Sequence, residues 1–198
     1  LSFVNAVISP RFISIASDGQ VSNSDGTREG GHTKYFKFKA VPGNTIYIGA
    51  TGNVSVVEFV KKELAVVDYS VSIESLLNYF RDFFKKNSSL LMEKDAKTNF
   101  MIVGTNHKIV YGYTFFLDDS GRLQENDYPS AKPNDLIVLS AIPPEFNDDP
   151  ADLFLGFLNG KNIHTKSDVI GSQRKLFKYV ASRCESVNNE FFQHTINL

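Results

Sequence analysis

The chain has 198 residues, 42% of them hydrophobic and 22% charged, and 21 basic against 22 acidic side chains leave a formal net charge of −1. This near-neutral balance excludes the basic field that general nucleic-acid binding requires, and apolar runs of about eight residues fall far short of the ~20 a membrane helix needs. The single cysteine, Cys184, excludes an internal disulfide and any metal site built on a cysteine cluster.

Residues 3–8 and 12–16 read as two strands joined by the corner Ser9-Pro10-Arg11, where proline's fixed φ suits the turn. Residues 17–31 are rich in Gly, Ser, Asn and Asp and read as a long exposed loop. Residues 34–39 alternate apolar and polar, Pro42-Gly43-Asn44 turns the chain, and residues 45–50 return it as a second hairpin. At Gly52-Asn53 the period changes from two to nearly four. Asn53 is the expected N-cap of a first helix, with Val54, Val57, Val60 and Leu64 as its apolar stripe. A second helix follows residues 68–72, with Ile73, Leu76, Leu77, Phe80, Phe83 and Phe84 on one face. Lys85-Lys86-Asn87 closes it, where the helix dipole favours cations. The Phe-rich face suits either the core or a subunit interface.

Strands resume at residues 99–104 and 109–117, followed by a turn at 118–121 and a strand at 136–141. Asp149 and Pro150 open a third helix that runs through Leu158 and stops at Gly160. A fourth runs from about Asp168 to Asn188, with Val169, Leu176, Phe177, Val180 and Cys184 inward, and residues 191–198 end the chain as a strand. The order ββ–ββ–αα–ββ(β)–αα–β predicts an α+β fold, a four-layer αββα sandwich with two antiparallel sheets between helical layers. Burial on both faces explains strand 136–141, which has almost no polar side. Seventeen phenylalanines without a tryptophan fit such a bulky core. A chain of this length buries about 70% of its unfolded surface, so one domain over residues 1–198 is expected, without disulfide or metal. The start, Leu1 to Ile8, lacks the basic stretch and long apolar core of a secretory signal, and the expected location is the cytoplasm.

This order resembles that of the proteasome-like N-terminal-nucleophile hydrolases. Residues 17–22, Ser-Asp-Gly-Gln-Val-Ser, resemble the family's Asp-Gly-Gln-Val-Thr segment after the second strand, in the form typical of the bacterial HslV-type peptidase that works with an unfolding ATPase ring. Residues 32–38, His-Thr-Lys-Tyr-Phe-Lys-Phe, resemble the strand carrying the family's active-site lysine. Residues 49–54, Gly-Ala-Thr-Gly-Asn-Val, resemble its Gly-rich strand-to-helix corner, and residues 192–198 match its last strand in position. The likeness runs in order along nearly the whole chain and is close in residues over about 17–66.

The resemblance implies a site. Asp18 and Lys34 stand sixteen residues apart, as in the family, and the same register puts the nucleophile on Ser2. The Ser2 hydroxyl would attack with its own α-amine as base, since that amine titrates near 7.7–8.0. Lys34 would lower the pKa of hydroxyl and amine, and a buried Asp18 would hold the lysine in place and charged. Backbone N–H groups near Gly49 and Gly52 would hold the oxyanion. The implied substrate is a peptide or amide, the implied partner another copy of the chain assembled through the helical layers, and no cofactor or metal is implied.

Two features depart from the family pattern. Leu1 precedes Ser2, and an amide nitrogen at Ser2 is no base. Where catalytic members carry a Gly-Ser-Gly stretch after strand 136–141, this chain has Ile142-Pro143-Pro144-Glu145, whose prolines remove two donors. Two main readings stand side by side. One is a divergent or non-catalytic relative that kept the fold as a scaffold. The other is an N-terminal-nucleophile peptidase or amidohydrolase using Ser2. A third is small-molecule binding or cyclohydrolase-like chemistry in the cleft between the sheets. Taken singly, Asp18 before Gly19 also suits a tight turn, Lys34 a solvated strand start, and Ser2 an ordinary exposed serine. His32, His107, His164 and His194 lack metal spacing. Cys184 reads as core, and Asp148-Asp149 as a helix cap.

Overall fold

The computed structural model describes residues 2–22, 27–38, 40, 42–66, 72–93, 96–106, 109–128, 135–143, 145–158 and 165–198. Leu1, His107, Pro144, Gly160 and His164, all named above, lie outside them. The chain opens with β1 (Val4–Ile8) and β2 (Phe12–Ser17), paired antiparallel. Ser9 closes their corner: its Oγ accepts from Phe12 N at 3.0 Å and donates to Phe12 O at 2.9 Å. The stretch expected to be loop contains a short ladder, β3 (Val21–Ser22) with β4 (Arg28–Glu29). Two-residue strands carry too little alternation to be seen in a sequence. Then come β5 (Tyr35–Phe38), β6 (Thr45–Gly52), α1 (Val54–Ala65) and α2 (Ile73–Leu91). Four strands follow in space rather than in one run: β7 (Thr98–Thr105), β8 (Val110–Leu117) and β9 (Leu123–Tyr128) extend the β5–β6 sheet, and β10 (Ile137–Ala141) returns to β1. The helices α3 (Pro150–Phe157) and α4 (Lys166–Arg183) lead to β11 (Phe192–Asn197), which pairs with β2.

The two main sheets have the orders β10-β1-β2-β11 and β5-β6-β7-β8-β9. Strand alternation distributes their side chains over three apolar layers. Val4, Ala6 and Ile8 enter the space between the sheets, with Ile13, Ile15, Met101 and Val103. Phe3 and Val7 point the other way, onto Phe154, Leu176, Phe177 and Val180 of α3 and α4. On the far side, Ile46, Ile48, Phe100 and Phe115 pack on Val60, Leu64, Phe80 and Phe84 of α1 and α2. The layers therefore run helix, sheet, sheet, helix, and the predicted αββα sandwich forms. Burial on both faces makes β1 and β2 wholly buried.

The Phe-rich face of α2 belongs to the core. The Phe80 ring lies 5.1 Å from that of Phe100 and 5.4 Å from that of Phe115, centroid to centroid. The helix does not stop at Lys85-Lys86-Asn87. It kinks at Asn87 (φ −111°, ψ 15°), whose Nδ2 donates to Phe83 O at 2.8 Å, and a further turn buries Leu91. Val54 leaves the stripe assigned to it: it is 45% exposed and lines a cavity. Asn53 caps α1 and Asp149 caps α3, as their sequence positions predict. The fourth helix is shorter than its periodicity suggests. Thr165 and Asp168 form a capping box at its start, and buried Cys184 ends it, so residues 184–191 run free of the helix. The strand β9 was hidden by its charges; Arg81 of α2 grips its Glu125 with two bonds of 2.8 and 2.7 Å. Such charges suit an edge strand, where they discourage pairing with another chain. Among the described residues, no helix is long and apolar enough to cross a membrane.

Candidate active site

The site is assembled where the two sheets open. Asp18 follows β2 and faces Phe3. Its N–H donates to Phe3 O at 3.2 Å, while Phe3 N–H donates to Asp18 Oδ1 at 2.8 Å. The other carboxylate oxygen accepts from Gln20 N at 3.1 Å. The Ser2 hydroxyl donates to Gln20 O at 3.3 Å. One short turn after β2 therefore holds Ser2 and the residue after it.

Lys34 bridges the sheets through its backbone. Its N–H donates to Ser17 Oγ at 3.1 Å, and its carbonyl accepts from Ala50 N at 2.9 Å. The lysine thereby stands beside the end of β6. That end carries Gly52 at φ +115°, a conformation L side chains rarely adopt; a Cβ there would lie 2.1 Å from Lys97 O.

Ser2, Lys34, Thr51 and Gly52 line one cavity of about 440 Å³. Phe36, Ala50 and Val57 give it an apolar wall, and exposed Glu29, His32, Glu58 and Lys61 make its outer parts polar. Asp18 is fully buried and coupled to Lys34 electrostatically. Gly49 stands apart. It is buried in mid-strand, and a Cβ there would approach Val4 Cγ1 to 2.8 Å, so it serves the close contact of the two sheets. Of the residues singled out in the sequence, Ser2, Lys34 and Gly52 thus share a cavity, Asp18 is buried behind the backbone of Phe3 and Gln20 and does not line it, and Gly49 packs against the opposite sheet.

Burial dominates the electrostatics. It pushes the Asp18 carboxyl up to about 6, against the Phe3 and Gln20 amides and Lys34, which pull it down. Burial pushes the Lys34 ammonium down, opposed by the charges of Asp18 and Glu190. The raised Asp18 value carries a pH prediction. Between its ordinary 3.8 and about 6 the native chain holds a proton that the unfolded chain has lost. Asp18 stabilisation is therefore complete below this window and declines as pH rises through it. Urea unfolding of wild type and Asp18→Asn isolates the effect. From pH 4 to pH 7 wild type should lose roughly 2 kcal/mol relative to the variant. A difference that stays flat or grows with pH contradicts the assignment.

The sequence pattern missed the loop after α4. Gly19 N donates to Asn188 Oδ1 at 3.0 Å, Gly31 N to Glu190 Oε2 at 2.7 Å, and Gln20 Nε2 to Glu185 O at 2.9 Å. No local signal marks these residues, since their partners lie more than 150 positions earlier. The departure after β10 also acquires a role. Phe146 N donates to Pro143 O at 3.0 Å, and the buried Phe146 ring packs 6.4 Å from Phe3, next to Ser2.

No family model and no curated protein matches the sequence. Solved structures do. Anbu (ancestral beta-subunit) from Yersinia bercovieri superposes with a TM-score of 0.69 at 10% identity, over 98% of this chain and 82% of that one. Anbu from Pseudomonas aeruginosa, described as a helical assembly, gives 0.66 at 14% identity, over 98% and 81%. Eukaryotic HslV from Trypanosoma brucei gives 0.53 at 9%, over 99% of both chains. BPH from Thiobacillus denitrificans, in complex with epoxomicin, gives 0.58 at 15%, over 99% and 98%. At such identities the likeness is one of fold, and the fold is proteasome-like. It does not single out the HslV type, because the Anbu structures superpose better.

Proposed function

We propose that this chain hydrolyses peptide or amide bonds with the Ser2 hydroxyl as nucleophile. The observation that carries the reading is the meeting of Ser2, Lys34 and Gly52 on one cavity, with the buried carboxylate of Asp18 bonded to the residue after Ser2. The active form begins at Ser2, so that its α-amine is free. That amine takes the hydroxyl proton as Oγ attacks the carbonyl carbon, and passes it to the leaving nitrogen as the tetrahedral adduct collapses. Water then cleaves the acyl-serine ester by the same route. The Lys34 ammonium favours the alkoxide developing on Ser2. A backbone N–H of the Thr51–Gly52 corner faces the oxyanion. Asp18 binds Phe3 N and so fixes the residue that follows the nucleophile.

Epoxomicin, the compound bound to BPH, gives a direct test. An epoxyketone offers its ketone carbon to a hydroxyl and its epoxide carbon to the neighbouring amine. Both bonds form without loss of an atom. A chain produced with Ser2 at its amino terminus should gain the mass of one epoxomicin, and Ser2→Ala should gain none. If the chain beginning at Ser2 stays unmodified and cleaves no member of a broad peptide panel, the scaffold reading replaces this one.

A further inference from the structure

We infer that Glu190, on the loop between α4 and β11, is a positioning residue for Lys34: with Asn188 it pins Gly19, just after Asp18, and Gly31, just before the lysine, and it places a second negative charge in the lysine's surroundings. The inference rests on the reading of Lys34 as an acting group. Its geometry is independent of that reading.

Glu190 Oε2 accepts from Gly31 N at 2.7 Å and from Asn188 Nδ2 at 2.9 Å. Asn188 Oδ1 accepts from Gly19 N at 3.0 Å and from Glu190 N at 3.2 Å. Gly19 directly follows Asp18, and Gly31 precedes Lys34 by three positions. Between these arms, His32 N donates to Gly19 O at 3.2 Å. One loop therefore holds both the segment leaving Asp18 and the segment entering Lys34. The carboxylate also packs close against two glycines. A Cβ on Gly19 would lie 2.0 Å from Glu190 Oε2, and one on Gly30 would lie 2.8 Å from it.

The charges near Lys34 come from several elements. Asp18 lies at the end of β2 and Glu190 on the clamp, and both hold the lysine proton against burial. His32 stands 3.7 Å from Glu29 of β4 and acts on Glu190. Glu58 and Lys61 of α1 line the same cavity. Two hydrogen bonds keep Glu190 ionised, with its carboxyl below the ordinary range.

The test is Glu190→Gln, which keeps the shape and an acceptor for Gly31 and removes the charge. The Lys34 Cε resonance, assigned by its loss in Lys34→Gln, should titrate at a midpoint lower by about half a pH unit or more. Glu190→Asp keeps the charge and should hold the midpoint nearer wild type. Where hydrolysis is measured, the alkaline limb of the kcat/KM profile should move down with the lysine, a change that loss of packing alone does not produce. An unmoved or raised midpoint in folded Glu190→Gln overturns the inference. If that variant does not fold, Asn188→Ala, which loosens the clamp and leaves the charge, should also lower the midpoint; no change there overturns it too. The resonance titrates whether or not the chain hydrolyses anything, so a failure of the proposed function is seen separately, as absent turnover in wild type.

Discussion

Ser2→Ala, in a chain that begins at that position, should lower kcat/KM for peptide cleavage by three orders of magnitude or more. The fold should barely notice. The hydroxyl makes one long bond, 3.3 Å to Gln20 O, and losing a bond of that kind costs about 1 kcal/mol. Lys34→Met tests the second member. It keeps the aliphatic stem and removes the ammonium, and a loss of roughly 10² to 10⁴ is expected from the nucleophile's weaker ionisation. Lys34→Arg should not restore the rate, because a planar, permanently charged guanidinium differs from an ammonium in both shape and proton affinity. Kinetics and thermal unfolding on the same preparations decide the matter. A Ser2→Ala variant that keeps a tenth of wild-type activity, with contaminating peptidase excluded, would remove Ser2 from the proposed mechanism.

Phe80→Ala should cost about 3–5 kcal/mol of stability. The ring is fully buried, packs between Phe100 and Phe115, and leaves a cavity that strands β7 and β8 are too constrained to fill. Against a total of about 5–15 kcal/mol, that is a large fraction. Phe59→Ala provides the contrast: Phe59 is 52% exposed on α1, with one ring neighbour among the described residues, Phe83, at 6.4 Å. Its loss should cost about 1 kcal/mol or less. Denaturant midpoints at constant m-value measure both. Equal losses at the two positions would mean that α2 does not face the sheet as described.

The candidate site was legible in part, and the division follows the range of the interactions. Asp18, Lys34 and Ser2 were found through their spacing, which the resemblance made meaningful. Composition alone left each as an ordinary turn, surface or terminal residue. Gly52 was marked by the change of period at the strand-to-helix corner, and its positive φ accounts for it. Gly49 was singled out only by the resemblance of residues 49–54 to a Gly-rich corner, yet its environment is Val4 of the opposite sheet. Nothing near position 49 announces that neighbour.

Local chemistry specified the hairpin at Ser9, the caps at Asn53 and Asp149, the inward stripe of α2 and the order of the elements. Each of these depends on groups within a few residues of one another, so the chain states them wherever they stand. Contacts between distant segments selected the rest: the β3–β4 ladder, the polar edge strand β9, the early end of α4 and the grip of Glu190 on Gly31 across 159 positions. Those features gain their free energy only when folding brings the partners together, and periodicity along a chain carries no record of a partner so far away.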